Sequence, residues 1–217
     1  MRRRIIKGIV MVLVMMVMGC NSGGVSGEGT GEEGKGRKGD GSVIDLARVS
    51  KKIQDAVAFA EKVKEVQILV KSIDELSKAI AKKIKNDGTI ESAGNGNKNH
   101  NGSLLAGAFQ IVLTVKEKLS VLEYSDDKFI GIKDKTSDVK SKIQAFLDKL
   151  KGDNELCKHD VTDSHAQQSI DRNHATKDKG AKELGELNTA IDALLKDAKD
   201  IVEGVISELT VRSAVKE

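Results

Sequence analysis

The sequence predicts an all-α protein: an elongated, four-helix-bundle-like domain of long antiparallel helices plus a short helix, preceded by a flexible lipid tether. Three observations support this fold class. The chain has no proline and no tryptophan, and only four phenylalanines and one tyrosine. Charged residues make up 32% of it. From residue 43 onward, apolar residues recur at spacings of three and four, which buries aliphatic stripes on helices rather than a sheet core.

Residues 1–19 read as an export signal. Four basic residues precede an apolar run, Gly8–Met18, that is shorter than the roughly 20 residues needed to span a bilayer. The run ends in Val17-Met18-Gly19-Cys20, which resembles the bacterial lipobox. Cys20 is therefore the expected lipid attachment site and the first residue of the mature protein. An ordinary secretory signal with an incidental cysteine is the alternative.

Residues 20–42 are predicted to form the lipidated N-terminus and a tether. Asn21–Ser42 contains nine glycines in 22 residues, mixed with charged side chains. Such a composition predicts a flexible chain with a reach of roughly 25 Å. The helical bundle domain is expected to occupy residues 43–217.

The first helix is expected to begin at Val43, with Ser42-Val43-Ile44-Asp45 as a capping box. Its apolar residues continue, with one phase slip, for about 40 residues. Asn86-Asp87-Gly88 is expected to end it. Thr89–Gly102 is polar and reads as a surface loop.

Three further helices and a short one follow. Ser103 is the expected N-cap of the second helix, and Ser125 begins the third, which Gly152 closes. The polar connection Asp153–Asp163 leads to a short helix around Ala166–His174. The last helix begins near residues 176–178 and keeps an unbroken heptad spacing, so the first and last helices are expected to lie side by side.

Charge and cysteine content limit the function. Without residues 1–19 the chain has 32 Lys+Arg against 33 Asp+Glu, so its basic isoelectric point is no argument for nucleic acid. Cys157 is the only other cysteine, and a plain unpaired thiol is favoured over a disulfide between two molecules. No catalytic group, cofactor motif or enzyme activity is predicted.

The sequence offers candidate residues for a metal site and for a glycan-binding site, and each has a simpler interpretation. The metal candidates are Cys157, His159, His165 and His174, but their spacing does not suit zinc, and we expect solvent-facing imidazoles and no metal. Lysines cluster at two places and are candidates for binding sulfated sugars, although a solvated helix surface is the simpler interpretation. The clusters are Lys82, Lys83 and Lys85, and Lys177, Lys179 and Lys182.

Several segments resemble the variable small proteins of relapsing-fever Borrelia spirochetes, relatives of outer surface protein C of Lyme spirochetes. They occur in the family's order along the whole mature chain. Among them are Val49-Ser50-Lys51-Lys52-Ile53, Ser72-Ile73-Asp74-Glu75-Leu76, Gly102-Ser103-Leu104-Leu105-Ala106-Gly107-Ala108 and Thr176-Lys177-Asp178-Lys179-Gly180-Ala181-Lys182. The resemblance implies a helical homodimer that is lipid-anchored in the outer membrane and exposed on the cell surface.

The leading hypothesis for function is a variable major antigen that evades host antibodies by antigenic variation. Thr89–Gly102 and Asp153–Asp163 are the expected variable, antibody-facing loops. The alternative is an adhesin for a host glycosaminoglycan or a host protein such as plasminogen. A structural lipoprotein facing the periplasm is a third hypothesis.

Overall fold

A computed structural model describes residues 35–37, 43–94, 99–126, 129 and 131–210. The bundle lies within the unit Gly36–Glu217. Its helices are α1 (Leu46–Ser77), α2 (Gly102–Asp126), α3 (Ile132–Lys151), α4 (Asp163–Ile170) and α5 (Ala181–Thr210). Short strands form two two-stranded sheets, β1 (Lys35–Arg37) with β2 (Val43–Asp45), and β3 (Lys82–Ile84) with β4 (Ile90–Ser92). The predicted all-α helical bundle is confirmed.

The buried face of α1 keeps one continuous helical spacing, so the predicted phase slip is wrong. Phe59 and Val70 are buried where the predicted stripe had Ala60 and Leu69, which are only partly buried. An unbroken alternation of three and four residues keeps side chains on one helical face. The buried residues that form this face are Val49, Ala56, Phe59, Val63, Val66, Val70 and Ile73.

The predicted start of α1 at Val43 is also wrong. Val43–Asp45 forms β2, which pairs with β1, and the helix begins at Leu46. The capping residue expected at Ser42 lies outside the described residues. Part of the predicted tether, Lys35–Arg37, contributes the partner strand.

At its other end α1 stops at Ser77, earlier than predicted, and a β-hairpin follows. Asn86-Asp87-Gly88 forms the turn of that hairpin rather than the end of the helix. The Asp87 carboxylate accepts hydrogen bonds from the Thr89 N–H (2.9 Å) and hydroxyl (2.6 Å). Gly88 has φ 83, a left-handed conformation that favours glycine in tight turns.

The boundaries of α2 and α3 also differ in part from the prediction. Ser125 lies inside α2, which continues to Asp126, and α3 begins after Gly131. The N-terminus of α2 follows Asn101, whose carbonyl accepts the first helical hydrogen bond from Leu105 (3.0 Å), so Ser103 is not the cap. Gly152 ends α3 as predicted, and its N–H donates to the Asp148 carbonyl (3.0 Å).

Neighbouring long helices are antiparallel, and the predicted side-by-side packing of the first and last helices, α1 and α5, is confirmed. Ion pairs join α1 to α5, α1 to α2, and α3 to α5. These are Lys71–Asp192 (3.1 Å), Lys118–Glu65 (3.1 Å) and Lys142–Glu186 (2.8 Å). The core between the helices is mainly aliphatic, and its largest fully buried side chains include Phe146, Ile73, Leu119, Leu122 and Leu187.

The antiparallel order separates two ends of the bundle. One end holds the start of α1, the end of α2 and the start of α3. The other holds the described parts of three connections, residues 78–94 with 99–101, 152–162, and 171–180. Along α1 these ends are about 48 Å apart at 1.5 Å per residue over its 32 residues. No helix in the described part of the chain is long and apolar enough to cross a membrane.

Candidate functional site

The two predicted surface loops contact each other. We call residues 99–102 together with residues 158–163 the loop junction. At its edge, Asn99 and Asp163 bond reciprocally: the Asn99 N–H donates to Asp163 Oδ1 (3.2 Å), and the Asp163 N–H donates to Asn99 Oδ1 (3.1 Å). Two segments that are distant in sequence therefore form one continuous surface.

Asn101 is the buried polar group of the junction, with 6% of its surface exposed. Its backbone N–H and its side-chain Nδ2 both donate to the Val161 carbonyl, at 3.3 and 3.0 Å. Nδ2 also donates to Asp163 Oδ1 at 2.9 Å. Burying an amide without partners is costly, so these bonds specify how the loops meet.

Gly102 sets how closely the two backbones approach. Its N–H donates to the His159 carbonyl at 3.1 Å. A Cβ at this position would lie 2.2 Å from the Lys158 carbonyl oxygen and 2.9 Å from the His159 Cα. Both contacts are with backbone atoms, so only glycine allows this approach without moving a loop.

An exposed cluster of His100, His159 and Asp160 lies on the junction. Asp160 Oδ1 is 2.9 Å from His100 Nδ1 and 2.8 Å from His159 Nδ1, and the two imidazole centroids are 5.5 Å apart. Hydrogen bonds from His159 and then from His100 hold the pKa of Asp160 below its ordinary value. The sequence pattern includes His159 among the candidate metal ligands but does not include its spatial neighbour His100.

The remaining predicted metal candidates do not join this cluster among the described residues. The Cys157 thiol is exposed and makes no disulfide with any described residue; its Sγ is 3.7 Å from the Leu150 carbonyl oxygen. His174 Nδ1 lies 2.7 Å from the Thr176 carbonyl oxygen. His165 is half-buried in α4.

The hairpin β3–β4 adds an exposed surface to the first loop. Its strands pair antiparallel, with Ile84 opposite Ile90, and these side chains are 78% and 69% exposed. The lysine cluster predicted here occupies β3 and its turn. Two of those lysines have acidic partners, Lys83 with Glu91 (3.3 Å) and Lys85 with Asp87 (3.0 Å).

The lysines of the other predicted cluster lie in different surroundings. Lys179 Nζ bonds to Asp153 Oδ2 at 2.7 Å, with both side chains mostly buried. Lys177 and Lys182 line an open groove of about 680 Å³ between α3 and α5. Glu186, also in that groove, lies 3.9 Å from Lys182. Asp153 thus offsets the charge of Lys179, whereas Glu186 pairs more closely with Lys142 (2.8 Å) than with Lys182, so the three lysines do not form one cationic cluster for glycans.

Cys20 and the predicted export signal lie outside the described residues. Similar proteins indicate how the chain is anchored. A family model described as "Lipoprotein" matches residues 43–215. Lipid anchoring in a membrane is therefore a property of the family to which this match points.

Curated relatives match over nearly the full chain. Variable small protein 11 of Borrelia hermsii is 44% identical over 215 residues, covering 97% of this chain and 98% of the relative. Outer surface protein C of Borreliella burgdorferi is 38% identical over 212 residues, covering 97% and 95%.

A solved structure also matches the fold. Variable small protein 1 of Borrelia turicatae is 45% identical, with a TM-score of 0.67, covering 76% of this chain and 99% of the solved one. The similar sequences and the similar solved structure therefore indicate the same family. The chain belongs to the family of variable small proteins and outer surface protein C, and it is a surface-exposed outer-membrane lipoprotein antigen rather than an enzyme.

Proposed function

We propose that the protein is a variable major antigen whose loop surface, Thr89–Gly102 with Asp153–Asp163, changes between alleles so that host antibodies to one form miss the next. The observation that carries this proposal is the loop junction, which joins both loops into one surface. An antibody footprint of about 800 Å² spans more than one short loop. A change in either loop would therefore alter the same epitope.

The buried residues of these loops limit where variation is tolerated. Ala93, Asn101, Leu156 and Val161 are less than 9% exposed, and Leu156 and Val161 pack in the hydrophobic core. Their substitution would leave cavities or unpaired polar groups. The exposed positions between them, such as Cys157 and Lys158, are free to change without that cost.

The path of the chain supports a direction of display for the loops. We propose that residues 1–19 are removed, that Cys20 carries the lipid, and that residues 20–42 connect it to the bundle. The chain enters α1 at the end opposite the loop surface. Anchoring from that side supports presentation of the loops to antibodies in the surrounding medium.

An exchange of loops tests the antigen proposal. Antiserum raised against this protein would be measured against a chimera carrying both loops of variable small protein 11 of Borrelia hermsii. We expect most binding to be lost. The matched control replaces Glu61, Lys62 and Lys64, three exposed residues of α1, by glutamine and should retain binding. Equal binding to the loop chimera and the parent would contradict the proposal.

Substitution of Cys20 tests the anchor separately. A Cys20→Ala protein cannot form a thioether, so it should not be labelled in cells grown with a radioactive fatty acid. The matched control is Cys157→Ser, which removes the other thiol and should still be labelled. Labelling of Cys20→Ala equal to that of the parent would contradict lipid attachment at this residue.

We also propose a homodimer formed through the long helices. Ile68 on α1 and Val121 on α2 are large apolar residues that are 58% and 56% exposed in the single chain. Burial of such residues in a second copy would release water from apolar surface. Sedimentation of residues 43–217 at micromolar concentration should show a dimer, and a monomer there would contradict this proposal.

A further inference from the structure

We propose that His100, His159 and Asp160 form a binding site for Zn²⁺ or a similar divalent transition-metal ion that joins the two surface loops. The site uses one residue from the loop before α2 and two from the loop between α3 and α4. This inference does not depend on antigenic variation.

The geometry places suitable ligand atoms together. The candidate ligand atoms of the three residues all lie within 4.8 Å of one another. Zinc binds imidazole nitrogen and carboxylate oxygen at about 2.0–2.2 Å, so neighbouring ligand atoms in a tetrahedral site are about 3.3 Å apart. The Asp160 oxygen lies 2.9 and 2.8 Å from the two Nδ1 atoms. A metal would replace these two hydrogen bonds: each imidazole would carry its proton on Nε2 and present the Nδ1 lone pair, and the ligand atoms would separate by about half an ångström.

The backbone supporting these side chains is fixed by other contacts. His159 accepts the Gly102 N–H through its carbonyl at 3.1 Å, next to the ligand-bearing side chain. On the other loop, Asn101 follows His100 directly and is buried with bonds to Val161 and Asp163. The metal would therefore bind to side chains on two backbones already held together, which lowers the entropic cost of assembling the site.

The chemistry of the three groups selects the ion. Two imidazoles and one carboxylate suit Zn²⁺, Ni²⁺ or Cu²⁺, whereas Mg²⁺ and Ca²⁺ prefer oxygen ligands alone. All three residues are exposed, so water can complete the coordination.

Zinc titration of the detergent-solubilised lipoprotein tests the site. Isothermal calorimetry would use a Cys157→Ser background, so that the exposed thiol does not compete for the metal. We expect one zinc per chain, with affinity falling at least about tenfold in His100→Ala and in His159→Ala. His174→Ala is the matched control, because its imidazole lies outside the cluster, and it should retain affinity.

A second measurement separates metal binding from loss of structure. Circular dichroism should show equal helix content in all variants, since His100, His159 and Cys157 are exposed and His174 is half-buried outside the helices. Zinc should also slow hydrogen exchange at the Asn101 and Gly102 amides in the Cys157→Ser protein but not in the His100→Ala variant. Absence of zinc binding by the Cys157→Ser protein, or unchanged affinity in both cluster variants, would overturn the proposal.

Discussion

Substitution of Gly102 by alanine tests the close contact on which the loop junction depends. Gly102 begins α2, and its backbone φ is not left-handed, so alanine suits its local conformation. Replacing glycine by alanine at such a position ordinarily stabilises a protein by about 0.4–1 kcal/mol through the unfolded state. Any loss of stability must therefore come from the contact with the other loop.

The size of that loss follows from the geometry. The new Cβ would meet the Lys158 carbonyl oxygen at 2.2 Å and the His159 carbonyl oxygen at 2.8 Å, and backbone atoms cannot rotate away. Overpacking of this kind costs about 1–3 kcal/mol. Moving the loops apart also weakens the Gly102–His159 hydrogen bond, worth about 0.5–1.5 kcal/mol. We expect a net decrease of about 1–3 kcal/mol in the free energy of unfolding.

Urea unfolding of residues 43–217, followed by circular dichroism, measures this difference. Gly107→Ala is the matched control, since Gly107 lies in the same helix and a Cβ there would meet nothing within 4 Å. It should stabilise the protein by about 0.4–1 kcal/mol. A Gly102→Ala protein as stable as the parent would refute the close approach of the two loops.

Two further predictions concern an ion pair and the core. The hydrogen bond from Lys179 lowers the pKa of Asp153 below its ordinary value of 3.8. The ion pair therefore stabilises the folded protein fully above pH 3.8, and this contribution is lost as pH falls through the lower pKa of the folded state. Asp153→Asn should therefore be less stable than the parent in urea at neutral pH, and the difference should shrink as pH falls below 3.8; a pH-independent difference would contradict the pairing. Leu187→Ala should lower the free energy of unfolding by about 2–5 kcal/mol, because Leu187 is 0% exposed. The control Ile68→Ala, at a site 58% exposed, should lower it far less when residues 43–217 are measured at a concentration that keeps the chain monomeric. Equal losses at the two sites would contradict the core assignment.

The helices were predictable because their burial pattern is local. The apolar spacing from Phe129 to Leu150 identifies the buried face of α3, and Gly152 ends that helix as expected. The apolar spacing also identifies the buried face of the last helix, where Leu184, Leu187 and Ile191 are all buried. In each case one amphipathic face carries enough information to define the element without its partners.

The end of α1 was predicted wrongly because two short-range signals compete there. Asp87-Gly88 between Ile84 and Ile90 is a typical hairpin signal, yet the preceding helical spacing extends to Ile80 and favours a longer helix. Cross-strand pairing decides in favour of the hairpin. The turn signal is present in the sequence, but taken alone it is equally typical of a helix end.

The loop junction could not be predicted from local patterns. His100 and Asp160 lie in separate polar segments, and only the antiparallel return of α2 and α3 brings them within 2.9 Å. The buried role of Asn101 depends on the Val161 carbonyl in the same way. Contacts of this kind are set by the register between helices, which spacing within one helix does not specify.

Exchange of single loops tests the central claim most directly: that both loops form one antigenic surface. Monoclonal antibodies that recognise Thr89–Gly102 on the folded protein would be measured against a chimera in which only Asp153–Asp163 comes from variable small protein 11 of Borrelia hermsii. The joined surface predicts that most of these antibodies lose at least about tenfold in affinity, equal to about 1.4 kcal/mol. Unchanged affinity of these antibodies for the chimera would show that the loops are separate epitopes and would contradict the account.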